Sequence, residues 1–275
     1  MLYISLACPW AHRSVIVRSL LGLQDALPLR VVDPLRDDRG WRFTLDDGDV
    51  DPVTGASYVM ELYRRSDPDF QGRATVPFVW DTRDERIVTN DYPQLTLDLD
   101  THWRTGDAPD LYPAALRAEI DAMAEANFHA INNGVYQAGF ATTQNAYESA
   151  YDALFARLDE LEVHLADRRY LVGDAITEAD VRLFTTLARF DAAYHGHFKC
   201  NRNKLAEMPV LWAYARDLWQ TPGFGDTTDL AHIKAHYYGT HEQINPTGIL
   251  PKGPVSDWSA EHHRGGEAVL LRRQP

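Results

Sequence analysis

Apolar and polar positions follow two regimes along the chain. Over the first hundred or so residues, short apolar runs alternate with amphipathic stretches. Leu2-Tyr3-Ile4-Ser5-Leu6-Ala7 predicts a strand, Pro9 to about Leu21 a helix, Leu29-Arg30-Val31-Val32 a second strand, and Ala56 to Arg65 a second helix. Val76-Pro77-Phe78-Val79-Trp80 and Arg86-Ile87-Val88 are split by the polar Asp81-Thr82-Arg83-Asp84-Glu85, which predicts a hairpin. The order β-α-β-α-β-β implies a mixed-sheet α/β domain over residues 1–106. Its unusual feature is the acidic connection from Asp33 to Gly55, which carries Trp41. Connections that long inside a compact domain tend to be functional or disordered.

After the polar break Thr105-Gly106-Asp107-Ala108-Pro109-Asp110 the period becomes helical. Leu116, Ile120, Met123, Phe128 and Ile131 recur at three-to-five spacing, and Tyr147, Tyr151, Leu154, Leu158, Leu161 and Leu165 form an unbroken stripe along one long helix. Asn132-Asn133-Gly134 reads as a helix break or distortion. Thr177-Glu178-Ala179-Asp180 is a close variant of a capping box, and Pro209 opens a further helix through Leu211, Tyr214 and Leu218. Residues 107–254 therefore form an all-helical domain. From Val255 the pattern is weak, so residues 255–275 are expected to be a loosely ordered tail.

Composition narrows the classes. The 275 residues are 45% hydrophobic with a formal charge of −13, enough apolar content for a sizeable core and the wrong sign for a nucleic-acid partner. No apolar run approaches the roughly 20 residues needed to span a bilayer. No signal peptide opens the chain, so it is expected in the cytoplasm. The acidic excess reads as a solvated surface. Two cysteines, Cys8 and Cys200, do not make a disulfide framework and read as reduced thiols.

Candidate chemistry begins at Cys8-Pro9-Trp10-Ala11. Proline suits the first helical position, which puts Cys8 at the N-cap. There the free backbone N–H groups and the helix dipole stabilise a thiolate; cysteines so placed have pKa values of roughly 3.5–7.5 against about 8.5 when free. His12 and Arg13 add positive charge. Ala11 stands where a Cys-x-x-Cys protein has its second thiol, so a two-thiol redox cycle is closed. Cys8 is then either a buried structural cysteine or a single-thiol nucleophile resolved by an external thiol. Val76-Pro77 is the second signal. A proline there must lie at a strand start, an edge or a cis turn. Beside an α/β thiol site it would present the backbone of Val76 to an extended thiol peptide, as an added strand. Cys8 and Pro77 in this element order point to a thioredoxin-like domain.

At these residues the chain resembles the glutathionyl-hydroquinone reductases, also called xi-class glutathione transferases. The matching stretches are Leu6-Ala7-Cys8-Pro9-Trp10-Ala11-His12-Arg13, Gly40-Trp41-Arg42-Phe43, residues 72–81, residues 132–144, Arg189-Phe190-Asp191 leading into residues 194–201, His236-Tyr237-Tyr238, and Ile244-Asn245-Pro246-Thr247-Gly248. They span about residues 2–254. The resemblance implies a thioredoxin-like domain, a helical transferase domain, a homodimer and a place in quinone metabolism. It implies thiol-dependent removal of glutathione, or a related small thiol, from a conjugated hydroquinone through a mixed disulfide on Cys8. Carried over by residue, Cys8 is the nucleophile, while Trp41, Arg73, Val76 with Pro77, and Asp91 line the thiol site. Tyr136 and Tyr237 match the two tyrosines that reach the quinol oxygens. No bound cofactor and no metal are implied, only the thiol as co-substrate.

Two departures qualify the match. The lead before the first strand is short, which implies either a trimmed start or a bare sheet edge. Where the family has an acid and then a serine, this chain reads Asp91-Tyr92, and a phenol at the γ-glutamyl subsite leaves glutathione, mycothiol and γ-glutamylcysteine open as the thiol. Bland readings stand beside the functional ones. Trp41 could anchor its loop, Arg73 could pair with Asp69, Tyr238 could take the place of Tyr237, and His195-x-His197-x-x-Cys200 reads as a structural turn rather than a metal site. The competing functions are a glutathione-conjugating transferase, which a cysteine at the helix start disfavours, and a non-catalytic thiol-binding protein of the same fold.

Overall fold

The structure, a computed structural model, describes residues 1–272. It divides into two compact units, residues 1–103 with 229–250, and residues 104–228 with the segment from 251 onward.

In the first unit the elements run β1 (Leu2–Ile4), α1 (Pro9–Leu20), β2 (Leu29–Val31), β3 (Arg36–Asp37), β4 (Gly40–Trp41), α2 (Val59–Ser66), β5 (Phe78–Asp81), β6 (Arg86–Thr89) and α3 (Tyr92–Asp98). One sheet has the order β2-β1-β5-β6, with β1 parallel to β2 and antiparallel to β5, and β6 antiparallel to β5. β1 is an inner strand of this sheet, and β2 and β6 are its edges. Its Tyr3 ring stacks on Phe78, centroids 4.7 Å apart, and meets Phe43 edge-on. α1 buries nearly every position from Ala11 to Arg18, as a helix packed on more than one side must.

The long acidic connection is ordered, and a buried carboxylate explains how. Asp51 is fully buried and accepts hydrogen bonds from Tyr3 Oη (2.6 Å), Arg30 Nε (2.9 Å), and the Thr54 N–H (3.1 Å) and hydroxyl (2.6 Å). Burial and the Asp51 partner push the Tyr3 phenol far above its usual range. Within the same segment β3 and β4 pair as a short hairpin, Arg36 opposite Trp41.

The second unit contains α4 (Arg117–Asn127), α5 (Gly134–Gly139), α6 (Gln144–His164), α7 (Glu178–Arg189), the single turn α8 (His195–His197) and α9 (Pro209–Gln220). Leu154, Leu158 and Leu161 of the α6 stripe are buried, and Leu165 seals its C-terminus. The capping box forms: fully buried Asp180 accepts from the Leu171 and Thr177 N–H groups, the Thr177 hydroxyl and Tyr214 Oη. The distortion expected at 132–134 is a π-helical turn, Phe128–Asn132, and a second one spans Phe190–Tyr194. Inserted residues of this kind are frequent at functional sites.

Two boundaries differ from the expected ones. The segment from 255 is not a loose tail as far as residue 272; residues 273–275 lie outside the described residues. Trp258 stacks on Trp219 (4.3 Å) and meets Trp212 edge-on (4.6 Å), and Gln220 donates to the Trp258 and Ala260 carbonyls. Arg264 donates to the carbonyls of Leu165, Arg168 and Arg169 past the end of α6, and main-chain bonds tie Val269 to Ile176 and Leu271 to Asp110. These anchors are single, aperiodic contacts, which is why no pattern announced them. Second, α10 (Leu230–Thr240) groups with the first unit rather than the helical one, through the contacts its buried face makes with the β3 region.

Candidate active site

Cys8 caps α1 in an extended conformation, with Pro9 as the first helical residue. The Cys8 N–H donates to the Ser5 carbonyl (3.1 Å) and its own carbonyl accepts from the His12 N–H (3.0 Å), so backbone bonds on both sides fix where Cα sits. The thiol is half-buried and its Sγ lies 3.7 Å from the Val76 carbonyl oxygen. The Val76–Pro77 peptide is cis, and β5 starts directly after it. Cys8, Val76 and Pro77 are thus brought together as the sequence implied.

Around the start of α1, aromatic faces replace polar ones. The Arg13 guanidinium lies 4.6 Å over the Trp10 ring, and Trp10 in turn packs against Tyr92, centroids 5.1 Å apart. Tyr92 is the first residue of α3 and is half-buried. Asp91 caps that helix, its carboxylate accepting the Gln94 N–H at 3.2 Å. The acid at 91 therefore has a structural task.

Trp41 is buried, 6% exposed, and stacks on His236 of α10, centroids 5.0 Å apart and planes 24° from parallel. Arg36 lies over the same ring at 5.6 Å. In this geometry Trp41 anchors its hairpin. Arg73 is exposed and makes no ion pair with Asp69 among the described residues. It lines a groove of about 360 Å³ together with Arg36, Asp37, Arg39, Gly40 and Ala74. Tyr237 is buried on α10 and meets His241 edge-on at 5.6 Å, whereas its neighbour Tyr238 is half-buried and accepts from Asn245 through its carbonyl.

Tyr136 belongs to the second unit, on α5 directly after the π-helical turn Phe128–Asn132. It is half-buried, with its phenol oxygen 3.3 Å from that of fully buried Tyr194 and its ring edge-on to Phe198 at 5.4 Å. Phe198 presses so closely on Gly139 that a Cβ there would lie 2.2 Å from the ring, so the cluster requires a glycine at that position. Buried Asn132 holds the π-turn in place by donating to Thr186 Oγ1 (2.7 Å) and the Arg182 carbonyl (3.1 Å). The His195–Cys200 turn packs as a turn. Cys200 is buried, with its thiol pushed up to about 12, and the buried His197 ring stacks on Phe198. Trp10, Tyr194 and His236 were not singled out by sequence reasoning. All three lay inside stretches carrying the family resemblance, but their roles follow only from contacts with residues distant in the chain or in another turn.

Three comparisons bear on identity. Residues 144–217 match the model of the glutathione S-transferase C-terminal domain. The chain is 46% identical to the glutathionyl-hydroquinone reductase PcpF of Sphingobium chlorophenolicum over 257 residues, 92% of this chain and 82% of that protein. Among solved structures it superposes on the glutathione-bound glutathione transferase homologue YqjG of Escherichia coli K-12 with a TM-score of 0.92 at 42% identity, covering 96% of this chain and 87% of that one. The xi-class transferase of Natrialba magadii gives a TM-score of 0.92 at 45% identity, over 96% and 82% of the two chains. Similarity of this extent, joined to a thioredoxin-like unit with a cysteine N-cap and an all-helical unit, shows that the chain belongs to the glutathionyl-hydroquinone reductases, the xi class of the glutathione transferases.

Proposed function

We propose that this protein reduces glutathionyl-hydroquinones, removing the thiol through a mixed disulfide on Cys8. The observation that carries the reading is the half-buried Cys8 thiol at the N-cap of α1, with alanine rather than cysteine three residues on. A conjugating transferase needs a donor that holds the cofactor's thiolate, whereas a cysteine here forms a disulfide with it. A thiolate at this position attacks the sulfur of the conjugate. The carbon–sulfur bond breaks, its electron pair passes to the ring carbon, and a proton joins that carbon. Carbon leaves readily only if the ring first adopts a keto tautomer, so a phenol that holds the quinol oxygen and moves its proton lowers the barrier. Tyr136 and Tyr237 are assigned that task. A second glutathione thiolate then attacks the Cys8 disulfide, giving glutathione disulfide and the free thiol.

The thiol itself is held by the first unit. The main chain of Val76, beside the Cys8 sulfur, takes the extended cysteinyl backbone in the manner of an added strand. The hairpin bearing Trp41 and the Arg73 side chain flank it, and Asp91 with Tyr92 opens the far end. Glutathione is the co-substrate, a reading supported by the glutathione-bound YqjG structure. Tyr92, packed on Trp10, makes that end aromatic and offers a phenol where a serine would offer a small hydroxyl. The working form is a cytoplasmic homodimer that needs no bound cofactor. Steady-state chromatography tests the reading: glutathionyl-menadiol with glutathione should yield menadiol and glutathione disulfide one-to-one with the wild type and neither with Cys8→Ser. Equal turnover by both proteins would overturn it.

A further inference from the structure

The contacts of α10 converge on one short stretch of the thiol-site hairpin. The His236 Nδ1 lies 2.7 Å from the Pro34 carbonyl oxygen. A carbonyl only accepts, so that nitrogen carries a proton and the ring is pinned by a main-chain group. One turn on, Thr240 Oγ1 accepts the Arg36 N–H at 3.4 Å. Between them, Gly239 lies against the tip of the Leu35 side chain. Thus pinned, the His236 ring lies flat on Trp41, and its edge meets Tyr237, the next residue on the helix, at 5.5 Å.

The imidazole is therefore placed by Pro34 and in turn places the Trp41 ring. Aromatic pairs prefer defined stacked or edge-on geometries, so a pinned imidazole favours one placement of the Trp41 ring. Trp41 closes β4, whose other residue, Gly40, lines the groove with Arg73. We propose that His236 is a positioning residue of the reaction: by donating from Nδ1 to Pro34 it seats Trp41 and with it the hairpin that flanks the bound thiol. It touches neither substrate nor the reacting sulfur in this role. The proposal rests on the reductase reading for what the hairpin does, and it makes α10 a helix that holds Trp41 with one residue and carries the phenol of Tyr237 with the next.

The test separates the ring from its donor. His236→Phe keeps a flat ring and loses the proton on the Pro34 side. His236→Asn loses the ring but keeps an amide N–H at the Nδ1 position. With glutathionyl-menadiol, His236→Phe should raise KM about five-fold, the size of one neutral hydrogen bond, and leave kcat within about two-fold. His236→Asn, which keeps the donor but loses the ring stacked on Trp41, should also raise KM several-fold and leave kcat within about two-fold. In a Trp41→Phe background the effect of His236→Phe should shrink well below its value in the wild type, because the two act as one unit. If His236→Phe does not fold, judged by circular dichroism, His236→Gln makes the same test, since its amide reaches the Nε2 rather than the Nδ1 position. An unchanged KM in either His236→Phe or His236→Asn, or full additivity with Trp41→Phe, would overturn the proposal. Calorimetric binding of glutathione to the same variants, carried on Cys8→Ser, reads the positioning role without turnover. A wild type that binds glutathione but releases no menadiol would refute the reductase reading, while the binding of the His236 variants would still decide this one.

Discussion

A single sulfur atom carries the reading at the scale of the residue. Cys8 gains from three facts: proline behind it starts the helix, it caps the positive end of the α1 dipole, and the Val76 carbonyl lies across from its sulfur. All three were legible in the sequence, because Cys-Pro after an apolar run is a local signal and Val-Pro at a strand start is another. The roles of Trp41 and Tyr92 were legible only as candidates. Burial of Trp41 against His236, some two hundred positions along the chain, and of Tyr92 against Trp10 are long-range contacts with no local pattern. Tyr136 makes the sharpest prediction here. Replacing it by phenylalanine removes a phenolic donor whose partner, Tyr194, stays in place, so kcat should fall about a hundred-fold with little change in KM, the lower end of what acid–base groups contribute. Pre-steady-state menadiol release measures it, and a kcat within two-fold of wild type would remove Tyr136 from the chemistry.

Elements show where pattern reading succeeds and where it stops. The α6 stripe, the α7 capping box and the hairpin were all periodic or motif-like, and each formed within a few residues of its expected bounds. The π-helical turns at Phe128–Asn132 and Phe190–Tyr194 and the anchored C-terminal segment were not, because their stabilising bonds run between side chains and distant groups. Two consequences follow for stability. Trp258 is 9% exposed, stacks on Trp219 and meets Trp212 edge-on, so Trp258→Ala should cost about 3 kcal/mol in chemical denaturation, whereas a loose tail would leave the midpoint unmoved. His197, on the turn beside Phe198, is 4% exposed, and burial, with a smaller contribution from Lys199, lowers its pKa from 6.5 to about 4. The unfolded chain therefore binds a proton below about pH 6.5 that the folded chain refuses until about pH 4, and stability is lost as pH falls through that window. From pH 7 to pH 5 this one group should remove about 2 kcal/mol, and His197→Gln should flatten that part of the profile.

Across the whole molecule, the fold class was readable and the partition was not. Alternating strands and helices followed by long amphipathic helices identify a thioredoxin-like domain and a helical one, yet α10 returns to the first unit and the last described residues return to the second. Chain order alone does not reveal such a return, because α10 has the same helical character as the elements before it. Its address is set by the fit of His236 and Thr240 to residues 34–36. The central claim concerns the sulfur that both halves of the reaction share. Its most direct measurement is intact-mass spectrometry of fully reduced protein mixed with equimolar glutathionyl-menadiol, with no second thiol present. One glutathionyl group should appear on the wild type, map to Cys8 and not to Cys200, accompany one equivalent of menadiol, and vanish when glutathione is added. Menadiol released from unmodified protein, or an adduct that survives Cys8→Ser, would contradict the account.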